Sequence, residues 1–244
     1  MFCDEARFMN SILHKAGTRG NANHGWLNSY HTFSFADYYD PERVHFGMLR
    51  VLNDDTVSPG QGFGTHPHSN MEIISLPLEG DLEHRDSMGN VALIKQGDLQ
   101  VMSAGSGVTH SEYNANGDRE VKFLQIWVFP HTKGVEPRYD QISLKDIRRE
   151  NEWYQVLSPH REDQGVWIHQ QAWFHLGEFT RDVTTGYTLK KDGNGIYAFV
   201  LQGDVEIEGQ PLESRDGFGI TDINDIRVSA HAGSKVLLME LPMK

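Results

Sequence analysis

Apolar residues recur along this chain in short runs separated by glycine, asparagine and aspartate, the pattern of strands and turns rather than of helices. The first runs are Phe46–Leu52, Met71–Leu78, Asp98–Met102, Gly107–Tyr113 and Val121–Phe129. A second set covers Tyr154–Leu157, Val166–Ile168, Gly195–Leu201, Asp204–Ile207, Ile226–Val228 and Lys235–Leu241. DVEIE at 204–208 alternates polar and apolar, as a strand with one face on a core does. Long helical periodicity is missing. The exception runs from Ser143 to about Glu150, where Ser143 can cap a short helix and Asp146 stands three residues on. The connection between two domains is placed there, giving 1–140 and 141–244.

An internal repeat supports the division. LEGDLE at 78–83 matches LQGDVE at 201–206, and Gly97 in GDLQVM then aligns with Gly217 in GFGITD. The closing runs KFLQIWV (122–128) and KVLLMEL (235–241) follow in the same order. Gly-Asp turns between strands recur by chance, but three segments in one order outweigh that. The reading is all-β, with two similar antiparallel β-barrels of jelly-roll type in tandem and few short helices.

At 244 residues the chain is long enough for one large domain or two small ones, each with its own core. Twelve Phe, five Trp and eight Tyr supply strand-filling side chains, and 24 Gly supply turns. No stretch approaches the roughly 18 apolar residues that span a bilayer, and the start, MFCDEARFMNSILHKAG, does not read as a secretory signal. The lone cysteine, Cys3, can form neither an internal disulfide nor a thiolate zinc site, which suits a reducing cytoplasm. A net charge of −12 without a basic stripe argues against direct nucleic-acid binding.

The candidate chemistry is concentrated in two segments. In GQGFGTHPHSNME (60–72), His66 and His68 are two apart, so an extended strand points both imidazoles to one face. In SAGSGVTHSEYN (103–114), His110 and Glu112 repeat that spacing. Two such strands facing one another across a barrel present three nitrogens and one carboxylate to a common point. That donor set suits iron, copper, nickel or zinc rather than calcium or magnesium. It leaves up to two positions of an octahedron open, as catalysis requires. The plainer reading is a packed or surface histidine pair in a chain with 13 His, and a solvated turn at HSE. Both segments together, each framed by glycines, outweigh it. A second carboxylate, Glu72, lies four residues after His68 and shares its face if the strand is unbroken, which Pro67 and the SNM segment call into question.

The first segment matches the cupin motif G-x5-H-x-H-x3-E at Gly60, His66, His68 and Glu72. The second matches the other cupin motif at Gly97, Gly105, His110 and Asn114, with Ser103 where many cupins have proline. THPHxxME, SAGxGxxHSEYN and the N-terminal HGWLxSxHTFSFADYYDP resemble the pirin family, especially the bacterial pirin-like quercetinases, over about residues 20–140. The resemblance implies a bicupin whose N-terminal domain holds one divalent metal through His66, His68, His110 and Glu112. Iron comes foremost, with copper, nickel and zinc compatible. It implies a quercetin 2,3-dioxygenase, with a flavonol and O2 as substrates and carbon monoxide released. Glu112 would also take the flavonol's proton, while Glu72 would stand nearby as an acceptor orienting a ligand. The alternative is a metal-binding regulator acting through a protein partner, since the family includes both, and a third reading is a cupin enzyme with a different small substrate.

The second domain lacks the site. The place of the His-x-His pair falls near Leu189–Lys191, and His231, close to the place of His110, reads as an ordinary polar residue. His169 and His175 are assigned to packing or surface. His24, Trp26, His31 and Phe33 form either a wall of the metal cavity or a strap on the barrel, and the strap is preferred. The GQGFG run is not a phosphate loop, because no helix follows it and no lysine is placed for phosphate.

Overall fold

The computed structural model describes residues 9–244, so Cys3 lies outside the described residues. In chain order the strands are β1 (Asn10–His14), β2 (Gly20–Asn23), β3 (Leu27–His31), β4 (Leu49–Val57), β5 (Gly62–His68), β6 (Glu72–Glu79), β7 (Leu82–Asp86), β8 (Val91–Ile94), β9 (Asp98–Ser103), β10 (Val108–Asn114) and β11 (Val121–Val128). They continue as β12 (Arg138–Ser143), β13 (Trp153–Ser158), β14 (Val166–Trp167), β15 (Trp173–Phe179), β16 (Val183–Thr188), β17 (Asn194–Gln202), β18 (Val205–Ile207), β19 (Gln210–Leu212), β20 (Gly217–Thr221), β21 (Asp225–Ala230) and β22 (Ser234–Pro242).

These form a bicupin. In the first half a seven-stranded sheet, β12-β9-β6-β11-β4-β3-β2, is faced by a four-stranded sheet, β5-β10-β7-β8. The second half repeats the scheme with β1-β20-β17-β22-β15-β13-β14 and β16-β21-β18-β19. Each half is a two-sheet jelly roll rather than one continuous barrel, because the large and small sheets remain separately hydrogen-bonded.

Three expectations need correction. The helix after Ser143 is only a single 3-10 turn, Leu144–Asp146, and the Ser143 side chain makes no cap bond. Only Leu144 in that turn is buried, so no apolar face sustains a longer helix. The division at 140 is not respected by the ends of the sheets: β1 joins the second half through β20, and β12 runs past 140 along β9. The repeat is real but shifted in its middle. Asp98 and Asp216 close the same turn, each accepting a backbone N–H three residues back at 3.0 Å, from Lys95 and Glu213. Gly97 therefore corresponds to Arg215, and both take positive φ (86° and 71°).

The large sheets of the two halves pack back to back. Alternate residues of β6 and β11 (Ile74, Leu76, Leu124, Ile126) join Phe174, Tyr197, Phe199 and Leu237 in one core. The intervening residues point into the two jelly rolls, and there the halves differ. The second interior is filled by Ile196, Ala198, Val200, Ile226, Val228 and Leu238. The first is crossed by a polar row, His31, Asn53, Gln125, Ser75 and Gln100, each opposite the next on β3, β4, β11, β6 and β9. All five are buried. The same row in the second half reads Gln155, His175, Leu238, Ala198 and Phe218.

Candidate metal centre and its cavity

His66 and His68 stand on β5 and His110 and Glu112 on β10. The strands do not face each other across the interior; they are paired neighbours in one sheet, with His66 directly opposite His110. A bulge follows, because Glu112 pairs with Phe63, and it re-aims the β5 side chains along the pair. The ring centroids of His66, His68 and His110 lie 4.5–4.9 Å apart. Their ligand atoms lie within 4.8 Å of one another. Pro67 is tolerated because β5 is the edge strand of its sheet. Gly62 is required because a Cβ there would lie 2.2 Å from the Glu112 carbonyl oxygen.

The protonation states suit ligation. His66 Nδ1 donates to the Gly64 carbonyl at 2.7 Å, which leaves Nε2 as the free lone pair. Burial, reinforced by the neighbouring histidines, lowers His68 to about 4 and His110 to about 3, so both imidazoles are neutral at pH 7. His68 Nε2 and both His110 nitrogens are buried without a hydrogen-bond partner. Buried polar atoms without partners are costly, and a cation between these lone pairs would satisfy them. Glu112 is held from the large sheet: Ser75 Oγ donates to one oxygen at 3.0 Å and Gln125 Nε2 to the other at 2.9 Å. Each oxygen retains a further lone pair.

Glu72 does not join them. Residues 69–71 interrupt the strand, Asn70 takes φ 50°, and Glu72 begins β6 in the other sheet. It shares the outward face of Ile74, opposite to Ser75, and accepts Ser103 Oγ at 2.6 Å. Burial raises it to about 7. The expectation that Glu72 orients a metal ligand is therefore corrected.

His84 was not anticipated. It lies on β7 opposite Glu112, with Leu82 and Asp86 on the same face of LEHRD. It forms a second group of potential ligands with His110 and Glu112. Its Nε2 donates to Asp86 at 3.1 Å and its Nδ1 is unpartnered. The period-2 pattern of β7 was the available signal.

The site opens into a cavity of about 240 Å³ shared by His66, His68, His110 and Glu112 with Phe35, Phe63 and Trp127. That is below the roughly 300–1,000 Å³ of typical drug-sized sites and favours a compact ligand. His24 and His31 line it too, so for these two the strap reading is corrected to a cavity wall. Phe33 lies in the core between the halves, and Trp26 packs edge-on against Phe63. A larger cleft of about 930 Å³ near Lys191 and Met243 contains neither ligand cluster. In the second half, Tyr187 and Ile226 pair as His66 and His110 do, so the places of His66 and His68 fall to Tyr187 and Leu189, at the near end of the expected segment, and neither is a histidine. His231 lies beyond β21 and is exposed. His175 is buried against Tyr187, and His169 packs edge-on against Trp167.

Two tandem jelly rolls with a histidine–carboxylate cluster inside the first define a bicupin with a metal-binding type of site. A family model described as Pirin matches residues 13–128, and one described as Quercetinase C-terminal cupin domain matches 155–241. The chain is 42% identical to quercetin 2,3-dioxygenase of Escherichia coli strain K12, over 94% of this chain and 98% of that one. It is 38% identical to a pirin-like protein of Caulobacter vibrioides, covering 91% and 95%. The crystal structure of bacterial pirin YhhW from Escherichia coli in complex with nickel(II) superposes with a TM-score of 0.90 at 41% identity, covering 96% and 99%. The chain belongs to the pirin family.

Proposed function

We propose that the protein is a metal-dependent dioxygenase that opens a flavonol ring with O2, as a quercetin 2,3-dioxygenase does. The observation that carries this reading is the set of unpartnered imidazole nitrogens at the end of an aromatic-walled cavity. His66, His68, His110 and Glu112 would hold one divalent ion, iron foremost, with nickel, copper and zinc compatible with the same donors. Such an ion supplies a charge that favours the deprotonated hydroxyl and the redox capacity for reaction with O2.

The protein's own residues do the rest. Glu112 accepts the flavonol hydroxyl's proton, and its bonds from Ser75 and Gln125 hold the carboxylate in place for it. His84, backed by Asp86, stands beside His110 and Glu112 and steadies that end of the cluster. Trp127, edge-on to His68 at 4.9 Å, and Phe35, edge-on to Trp127 at 5.4 Å, form an apolar wall that excludes water from the ring.

The test is turnover of quercetin by iron-, nickel- and copper-loaded protein under labelled O2. The expected result is loss of the yellow flavonol absorbance over many turnovers, with label in the product and carbon monoxide released. Failure of all three forms would displace this reading in favour of a metal-dependent binding protein.

A further inference from the structure

The cavity has a second polar end that metal binding does not explain. His31 on β3 and Asn53 on β4 are directly opposite in the strand register, and both are buried on the cavity wall. His31 Nδ1 and Asn53 Oδ1 have no hydrogen-bond partner. Their neighbours are not available to them. Ser29 donates to Asp55, while Gln125, across from Asn53, is committed at both ends to Glu112 and to Trp127 Nε1. Burial lowers His31's pKa and keeps its imidazole neutral, able to donate or accept.

A continuous aromatic wall joins this end to the metal ligands. His31 meets Phe35 at 5.2 Å, Phe35 meets Trp127 at 5.4 Å, and Trp127 meets His68 at 4.9 Å. A flat aromatic lying along that wall from the histidine cluster brings its far edge to His31 and Asn53. A phenolic hydroxyl, which both donates and accepts, satisfies the amide oxygen and the imidazole nitrogen together.

We propose that His31 and Asn53 form a hydrogen-bonding subsite for a phenolic hydroxyl remote from the metal, so that the cavity selects polyhydroxylated flavonols over unsubstituted ones. This rests on the flavonol reading of the same cavity. A site built to hydrogen-bond a hydroxyl rejects the analogue lacking it, because its buried polar groups are then left unpaired.

The test is anaerobic titration of zinc-loaded full-length protein, followed by tryptophan fluorescence, with quercetin and with 3-hydroxyflavone. The second retains the metal-facing hydroxyl and ketone but has no other hydroxyl. Wild-type protein should bind quercetin about tenfold more tightly, the worth of one or two net hydrogen bonds. Asn53→Leu and His31→Phe should each cut quercetin affinity several-fold and leave 3-hydroxyflavone nearly unchanged. Equal wild-type affinity for the two flavonols overturns the subsite whether or not the variants fold. Equal weakening of both flavonols by the variants overturns it too. Binding of neither flavonol overturns the flavonol reading and the subsite with it.

Discussion

Glu112 and Glu72 are both buried carboxylates close in sequence to the paired histidines, and their surroundings set them apart. Glu112 faces the cavity and is fixed by Ser75 and Gln125, whereas Glu72 faces away and answers to Ser103. Glu112→Gln keeps the shape but removes the charge and the base. It should weaken metal binding at least tenfold and abolish turnover. Glu72→Gln should fall below the roughly 10–100-fold cost of losing a ligand-orienting partner. Metal titration and turnover of both variants check this, and loss of the metal by Glu72→Gln with retention by Glu112→Gln would reverse the assignment. The pH dependence separates them again. Burial raises Glu72 from 4.5 to about 7, so the folded state binds its proton more tightly than the unfolded state does. Its contribution to stability is present in acid below the unfolded value and is lost as pH rises through about 7. Thermal melts should therefore show Glu72→Gln gaining on wild type at pH 8 relative to pH 5.

Among the elements, β5 bears most on the site, because one short edge strand carries two of the proposed ligands and must lie almost against β10. Gly62 permits that approach. Gly62→Ala would drive a methyl into the Glu112 carbonyl and Tyr113. Overpacking of this kind costs about 1–3 kcal/mol, which lowers Tm by roughly 2–4 °C per kcal/mol in a chain of this size. Gly117→Ala, with nothing near its Cβ, is the control and should leave Tm unchanged. Equal effects at the two positions would contradict the close pairing. The histidine and carboxylate types and spacings were legible in the sequence because period-2 geometry converts directly into a shared face. The pairing of β5 with β10 was not, since adjacency in a sheet is a long-range property that spacing does not encode. The strands with clean apolar runs, such as β6, β11, β17 and β22, were legible for the same local reason. β3, β7 and β15 were not, because their inward positions hold Ser29 and His31, His84 and His175, which break the hydrophobic alternation. Ser29 and His31 line the cavity, and His84 stands beside the ligand cluster.

Across the whole molecule, the two halves share a topology and differ in what their interiors contain. Back-to-back packing of the large sheets uses one face of each, leaving the other face free to diverge. In the first half that face carries the polar row and looks onto the histidine cluster of the small sheet; in the second, Leu238, Ala198 and Phe218 close the space. The second half thus buttresses the first, and among the described residues the potential ligand clusters lie in the first half alone, so one ion per chain is expected. The most direct measurement is elemental analysis of fully metal-loaded protein, wild type beside the His66→Ala, His68→Ala double variant. The wild type should carry about one ion per chain and the variant close to none, since both lost imidazoles belong to an otherwise three-nitrogen set. About two ions in the wild type, or one that survives the double substitution, would contradict the account.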